Sequence, residues 1–142
     1  MEKRRLYPLK FHPSIKHKVW GGDAITKKLG KEEIADDSND HGQEESANVG
    51  ESWEIYHLYD ASSVVAEGFL AENELADLLE TYMEELVGEN IFNWYQNQFP
   101  LVIKFLDITD KLSVQVHPTD EIAMQQYDSY GKRELWYVMA AG

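Results

Sequence analysis

The chain has 142 residues, which is one domain or part of a larger one, and its 43% hydrophobic content with 12% aromatics supplies a packed core and excludes wholesale disorder. It has no cysteine, which excludes disulfides and thiolate metal sites, and no apolar run approaches the ~20 residues a bilayer-spanning helix needs. The net charge of −13 argues against nucleic acid as a partner, because phosphate binding needs lysine and arginine clustered on one face.

Charge is unevenly distributed: residues 1–31 carry nine bases and two acids (+7), residues 32–103 carry eighteen acids and no base (−18), and the remainder carries four bases and six acids (−2). An anionic ligand is therefore met only by the two ends. Residues 1–22 read as an irregular opening segment with turn chemistry at Pro8, Pro13 and Gly21-Gly22, the paired glycines beside Trp20 suggesting positive φ. Residues 31–49 have two sizeable aliphatics, Ile34 and Val49, among acids, Ser and Asn, and read as an acidic surface loop, with poor order or few core contacts expected over 32–49.

From Glu51 the pattern turns to β, with Trp53, Ile55 and His57 expected on one face and Ser52, Glu54 and Tyr56 on the other. Ser63–Glu67 is a second short strand candidate, ended by Gly68. Leu75, Leu78, Leu79, Tyr82 and Leu86 form the stripe of an amphipathic helix over 74–87, with Asn73 as N-cap and Gly88 beyond its end. Leu101–Ile108 is a nearly continuous apolar strand, Leu112–His117 an alternating one, and a shorter helix is expected after Pro118 to about Tyr127. A further strand pattern runs from Glu134 to Ala140.

The chemistry concentrates in the last third. A period-two strand over 112–117 puts Leu112, Val114 and Val116 on one face and Ser113, Gln115 and His117 on the other. Such a face is either plain solvent surface or an amide and an imidazole aimed at one point, since residues i and i+2 lie about 7 Å apart. Lys132 and Glu134 share one face of the next strand, so Glu134 can add a carboxylate. An imidazole, a carboxylate and an amide without sulfur suit zinc or another first-row divalent ion, and spacing alone leaves metal site and solvent face both open. His12, His17, His41 and His57 read as surface or packing histidines. Trp20, Trp53, Trp94 and Trp136 read as core or pocket-wall rings, and Glu54 as a structural residue rather than part of the site.

Three segments then resemble one family: Phe99-Pro-Leu-Val-Ile-Lys-Phe-Leu-Asp, Leu112-Ser-Val-Gln-Val-His-Pro with Asp120-Glu121 following, and Gly131-Lys-Arg-Glu-Leu-Trp-Tyr-Val. With Pro8-Leu-Lys-Phe, Trp20-Gly-Gly and Gly50-Glu-Ser-Trp-Glu-Ile, they are similar to the N-terminal part of the type I mannose-6-phosphate isomerases of the cupin superfamily. The resemblance covers nearly all of the chain except 31–49. Its specific element is a Gln-x-His-Pro strand followed, 17 residues after the histidine, by the glutamate of a Lys-x-Glu-x-Trp-Tyr strand.

The resemblance implies a mainly β, cupin-type jelly-roll sandwich with one or two covering helices, incomplete at the C-terminus, residues 1–142 being the N-terminal part of the isomerase domain. It implies metal-dependent interconversion of mannose 6-phosphate and fructose 6-phosphate with one divalent ion, Zn²⁺, on Gln115, His117 and Glu134. Ser113 and Lys132 match positions lining the substrate pocket, and Lys132 is also the catalytic candidate, as proton-transfer base or as a phosphate or hydroxyl contact. The fourth ligand and the pocket arginine have no counterpart in these residues. The alternative reading is a non-catalytic sugar- or metal-binding cupin module. A cytoplasmic protein is expected, with a phosphorylated hexose as partner, no nucleic acid and no membrane. An open sheet edge suggests a homodimer or pairing with a C-terminal half, and the chain alone is expected to be inactive.

Overall fold

Strand formation begins well before the alternating stretch at Glu51. The computed structural model describes residues 5–32, 48–58 and 61–141, so most of the acidic stretch 31–49, with His41 and Ile34, lies outside the described residues. The elements are β1 (Ser14–Gly22), α1 (Ala24–Leu29), β2 (Val49–Ile55), β3 (His57–Leu58), β4 (Ala61–Ser62), α2 (Leu75–Tyr82), α3 (Glu84–Val87), α4 (Glu89–Tyr95), β5 (Ile103–Leu106) and α5 (Asp120–Tyr127). They fall into two compact units, Met1–Lys111 and Leu112–Gly142.

The first unit is built on an antiparallel sheet in the order β1-β2-β5, beside a short β3-β4 hairpin. The expected irregular opening is corrected, since nine of its residues form β1. Lys16, His17 and Lys18 interrupt the apolar alternation there, so the strand is specified by its ladder to β2 rather than by its own pattern. The expected positive φ at Gly21-Gly22 is also corrected, for neither glycine adopts it. What they supply is space: a Cβ on Gly21 would lie 2.6 Å from the Gly50 nitrogen and the Val49 carbonyl carbon, and one on Gly22 2.5 Å from the Asp107 carboxylate. That carboxylate in turn accepts from the Ala24 N–H at 2.7 Å, holding the start of α1 against the end of β5.

Register shows which face of β2 is buried. Ile15, Ser52 and Phe105 are cross-strand neighbours on one face, and Lys16–Glu51 and Trp53–Lys104 pair on the other. Ile15, Ile25 and Val49 with Phe105 form a core cluster, so the buried face is that of Ser52, and Trp53, expected as a core or pocket-wall ring, lies on the other. The Trp53 ring instead carries the ammonium of Lys104 at 4.2 Å and that of Lys16 at 5.4 Å, while its indole N–H donates to Glu51. Tryptophan reads as core by hydropathy, yet its flat face is also a good seat for cations whose stems cover it. At its edges the acidic stretch meets the sheet, and the expectation of few contacts over 32–49 falls mostly outside the described residues. Val49 is buried, and Lys31 lies 2.6 Å from Glu54 and over the Phe105 ring at 5.3 Å. Glu54 also accepts from Ser52 Oγ at 2.6 Å, which gives it a structural role.

The helical stripe holds. Leu75, Leu78, Leu79 and Tyr82 are buried, and Leu86 packs on the cluster of Val65, Leu70, Leu78 and Tyr82. The expected single helix is two, because Met83 turns to φ 49° between α2 and α3. Asn73 is not its cap; Glu74 occupies that position, and the first N–H groups are satisfied from afar, Leu75 by the Ser63 carbonyl at 2.8 Å and Ala76 by Ser62 Oγ at 3.0 Å. Ser63–Glu67 contributes single bridges, Val65 to Phe11 and Val64 to Glu74, rather than a strand. The apolar strand over 101–108 is shorter, as β5.

In the second unit α5 follows Pro118 as expected, with Thr119 Oγ1 accepting from the Ile122 N–H and Asp120 and Glu121 in the first turn, where carboxylates complement the helix dipole. The expected strands at 112–117 and 134–140 are corrected: neither joins a ladder among the described residues. Alternation states which side chains a strand buries once paired; pairing needs a neighbour. Accordingly Val114, Val116 and Leu135 are 99%, 92% and 91% exposed. Trp94 and Trp136 are exposed too, not core rings.

Candidate active site

Local structure in the second unit turns on Gly131. Its N–H donates to Asp120 Oδ1 at 2.9 Å, and the Lys132 N–H donates to the Pro118 carbonyl at 3.4 Å. This lays the segment that begins at Gly131 against the turn that starts α5, one residue beyond His117. No side chain fits at 131, since a Cβ would lie 2.6 Å from the Asp120 nitrogen and the Thr119 carbonyl carbon.

The consequence is a convergence of three predicted residues. His117 Nε2 lies 3.3 Å from Glu134 Oε1, and Lys132 Nζ 2.8 Å from the same oxygen. The Trp136 indole N–H donates to Glu134 Oε2 at 3.3 Å. Residues 132, 134 and 136 are two apart, the spacing at which side chains of an extended chain share a face. Gln115 is placed with Ser113, its Nε2 donating to Ser113 Oγ at 3.4 Å, and among the described residues no hydrogen bond or ion pair joins this pair to His117 or Glu134. Sequence reading missed Gly131 as the residue that sets the geometry and Trp136 as a partner of the carboxylate; the glycine directly before Lys132 was the available signal.

The Lys132 ammonium, helped by the Trp136 indole, holds the Glu134 carboxyl down to about 2 from its ordinary 4.5. The depressed value means that the charged form is favoured: what the contact adds to stability is present above pH 4.5 and is lost as pH falls through about 2. With the side chain 35% exposed, solvent screens the pair, so its effect is to fix charge and position more than to stabilise the fold. In the metal-free chain an NMR titration of Glu134 should give a midpoint near 2, and Lys132→Met should move it well toward 4.5. An unchanged midpoint in the variant excludes the lysine as the cause.

The donor set passes one test for a metal. Two ligands at about 2.0–2.1 Å from a tetrahedral ion lie about 3.3 Å apart, and the imidazole nitrogen and carboxylate oxygen lie 3.3 Å apart. With Gln115 Nε2 on Ser113, its carbonyl oxygen is the atom suited to a cation. Among the described residues there is no group of three or more His, Asp or Glu side chains of that kind, so a third ligand has to be an amide or come from elsewhere.

The sheet and its helices have the cupin-type fold, with no closed barrel among the described residues. They superimpose on the crystal structure of the mannose 6-phosphate isomerase from Bacillus subtilis with a TM-score of 0.66 and 29% identity, over 87% of this chain and 35% of that one. The family model for the phosphomannose isomerase type I catalytic domain matches residues 8–134, and the chain belongs to that family. It is 34% identical over 134 residues to the mannose-6-phosphate isomerase of Streptococcus mutans serotype c and 33% identical over 135 residues to mannose-6-phosphate isomerase ManA of B. subtilis. These alignments cover 94% and 93% of this chain and 37% of each relative, so the chain spans a little over a third of their length.

Proposed function

We propose that the chain carries the metal-binding strands of a mannose-6-phosphate isomerase, interconverting mannose 6-phosphate and fructose 6-phosphate, with Gln115, His117 and Glu134 holding one Zn²⁺. The observation that supports this is the approach of His117 and Glu134 to ligand spacing in a member of this family, with Lys132 on the same carboxylate. When bound, the ion would polarise the sugar oxygens between which the carbonyl moves. Aldose–ketose isomerisation shifts a proton between adjacent carbons through an enediol, so the site needs donors at those oxygens and at the phosphate. Ser113 and Lys132 supply a hydroxyl and an ammonium for these, Lys132 as a contact in preference to the base.

In this reading residues 1–142 are the N-terminal part of the isomerase domain, working in the cytoplasm. The exposed apolar side chains of Val114, Val116 and Leu135 are covered by further strands, from a complementary half or a second copy. No helix is long and apolar enough to cross a membrane among the described residues.

The test is metal content followed by a coupled assay. The purified chain should hold about one zinc, lost in His117→Ala, and by itself should turn over fructose 6-phosphate at less than a tenth of the rate of a full-length relative. Activity should rise when the remaining part of a relative is added. Iron with oxygen-dependent activity, or no His117-dependent metal, overturns the reading; full turnover by the chain alone overturns only its dependence on a partner.

A further inference from the structure

Glu134 presents one oxygen to two different cationic claims. Its Oε1 lies 2.8 Å from Lys132 Nζ and 3.3 Å from His117 Nε2, while Oε2 takes the Trp136 indole at 3.3 Å. The atom that the proposed metal would share with His117 is therefore the atom that Lys132 already holds. We propose that Lys132 is the resident counter-ion of Glu134 in the metal-free chain and that a divalent cation takes its place, so that metal loading releases this ammonium toward solvent and substrate. The inference rests on the metal reading above.

Three features support an exchange over simple coexistence. The pair is charge-balanced with one ammonium, and a dication on the same oxygen leaves two net positive charges within a few ångströms, a like-charge contact that favours separation. Lys132 is the movable member, a single charge on a flexible four-carbon stem with its side chain 56% exposed, so leaving forfeits little packing. His117 and Glu134 are less exposed, at 26% and 35%, and stay where the Gly131 contact puts them. The carboxylate is thus kept charged and aimed before metal arrives, and the lysine becomes available to an anionic group only afterwards. Arrival of the cation and readiness for a sugar phosphate are coupled in one step.

The test uses zinc alone with the full chain, affinity being read by competition with a chromogenic chelator and Lys132 mobility by ¹³Cε relaxation, with the exposed Lys111 as reference. The expected result is that Lys132→Met binds zinc about tenfold more tightly than wild type, and that Lys132 goes from more ordered than Lys111 to equally mobile on loading. Tighter binding without a change in Lys132 mobility indicates repulsion at a distance and overturns the exchange. Equal or weaker binding by Lys132→Met, with zinc still dependent on His117, overturns it while leaving the metal reading intact. Zinc binding that is indifferent to His117→Ala overturns both.

Discussion

Gly131→Ala should weaken zinc binding by on the order of 100-fold while leaving the first unit folded. The added methyl would lie 2.6 Å from the Asp120 nitrogen and the Thr119 carbonyl carbon and 2.7 Å from the Pro118 carbonyl oxygen. All three are backbone atoms at the start of α5, not the ends of flexible side chains, so one of the two segments must move. His117 is one residue before Pro118, and Glu134 three residues after Gly131. Any shift that relieves the clash is passed into the 3.3 Å separation of the two side chains. Metal ligand distances tolerate about 0.2 Å, and misplacements of about 1 Å cost reactions on the order of 100-fold. The measurement is zinc affinity by chelator competition, with the near-ultraviolet spectrum reporting on the first unit. Affinity within twofold of wild type would show that this contact does not set the site.

That glycine marks the boundary of what could be read from residues alone. Helix α2 was legible because four apolar side chains at helical spacing have one way to be buried, and Leu75, Leu78, Leu79 and Tyr82 are. Helix α5 was legible because proline followed by threonine and two acids satisfies both the dihedrals and the dipole of a helix start. Lys132 and Glu134 were legible as a shared face by their spacing. What was not legible depends on partners distant in sequence. Strand β1 exists through its ladder to β2, the buried face of β2 is chosen by Ile15 and Phe105 on its neighbours, and the cap of α2 comes from Ser62, fourteen residues before the N–H it accepts from. Period-two alternation marks two faces but does not say which is covered, so a tryptophan face flanked by lysines lost to a serine face flanked by isoleucine and phenylalanine. The segments at 112–117 and 134–140 illustrate the converse: their alternation is clear, and without a paired neighbour it produces exposed Val114, Val116 and Leu135 rather than a ladder.

Gly21→Ala should cost the first unit about 3 kcal/mol, at the upper end of what overpacking a fitted interior costs. A Cβ there would lie 2.6 Å from the Gly50 nitrogen and the Val49 carbonyl carbon and 2.8 Å from the Val49 carbonyl oxygen. These atoms belong to the strand paired with β1, and Val49 is itself buried with Ile15 and Ile25, so β2 cannot step back without opening that cluster. The comparison that isolates the cause is Gly30→Ala. Gly30 ends α1 at φ 62°, with its N–H returned to the Ile25 and Thr26 carbonyls, and nothing lies within 4 Å of where its Cβ would be. That substitution meets only the left-handed backbone penalty of about 1–2 kcal/mol. One glycine is needed for space and the other for its dihedral. Urea unfolding of the two variants should therefore rank Gly21→Ala as the more damaging, a large loss against domain stabilities of about 5–15 kcal/mol. Equal midpoints, or a larger loss at Gly30, would show that β1 and β2 are free to separate at Gly21 and that the close approach there contributes nothing to holding the sheet.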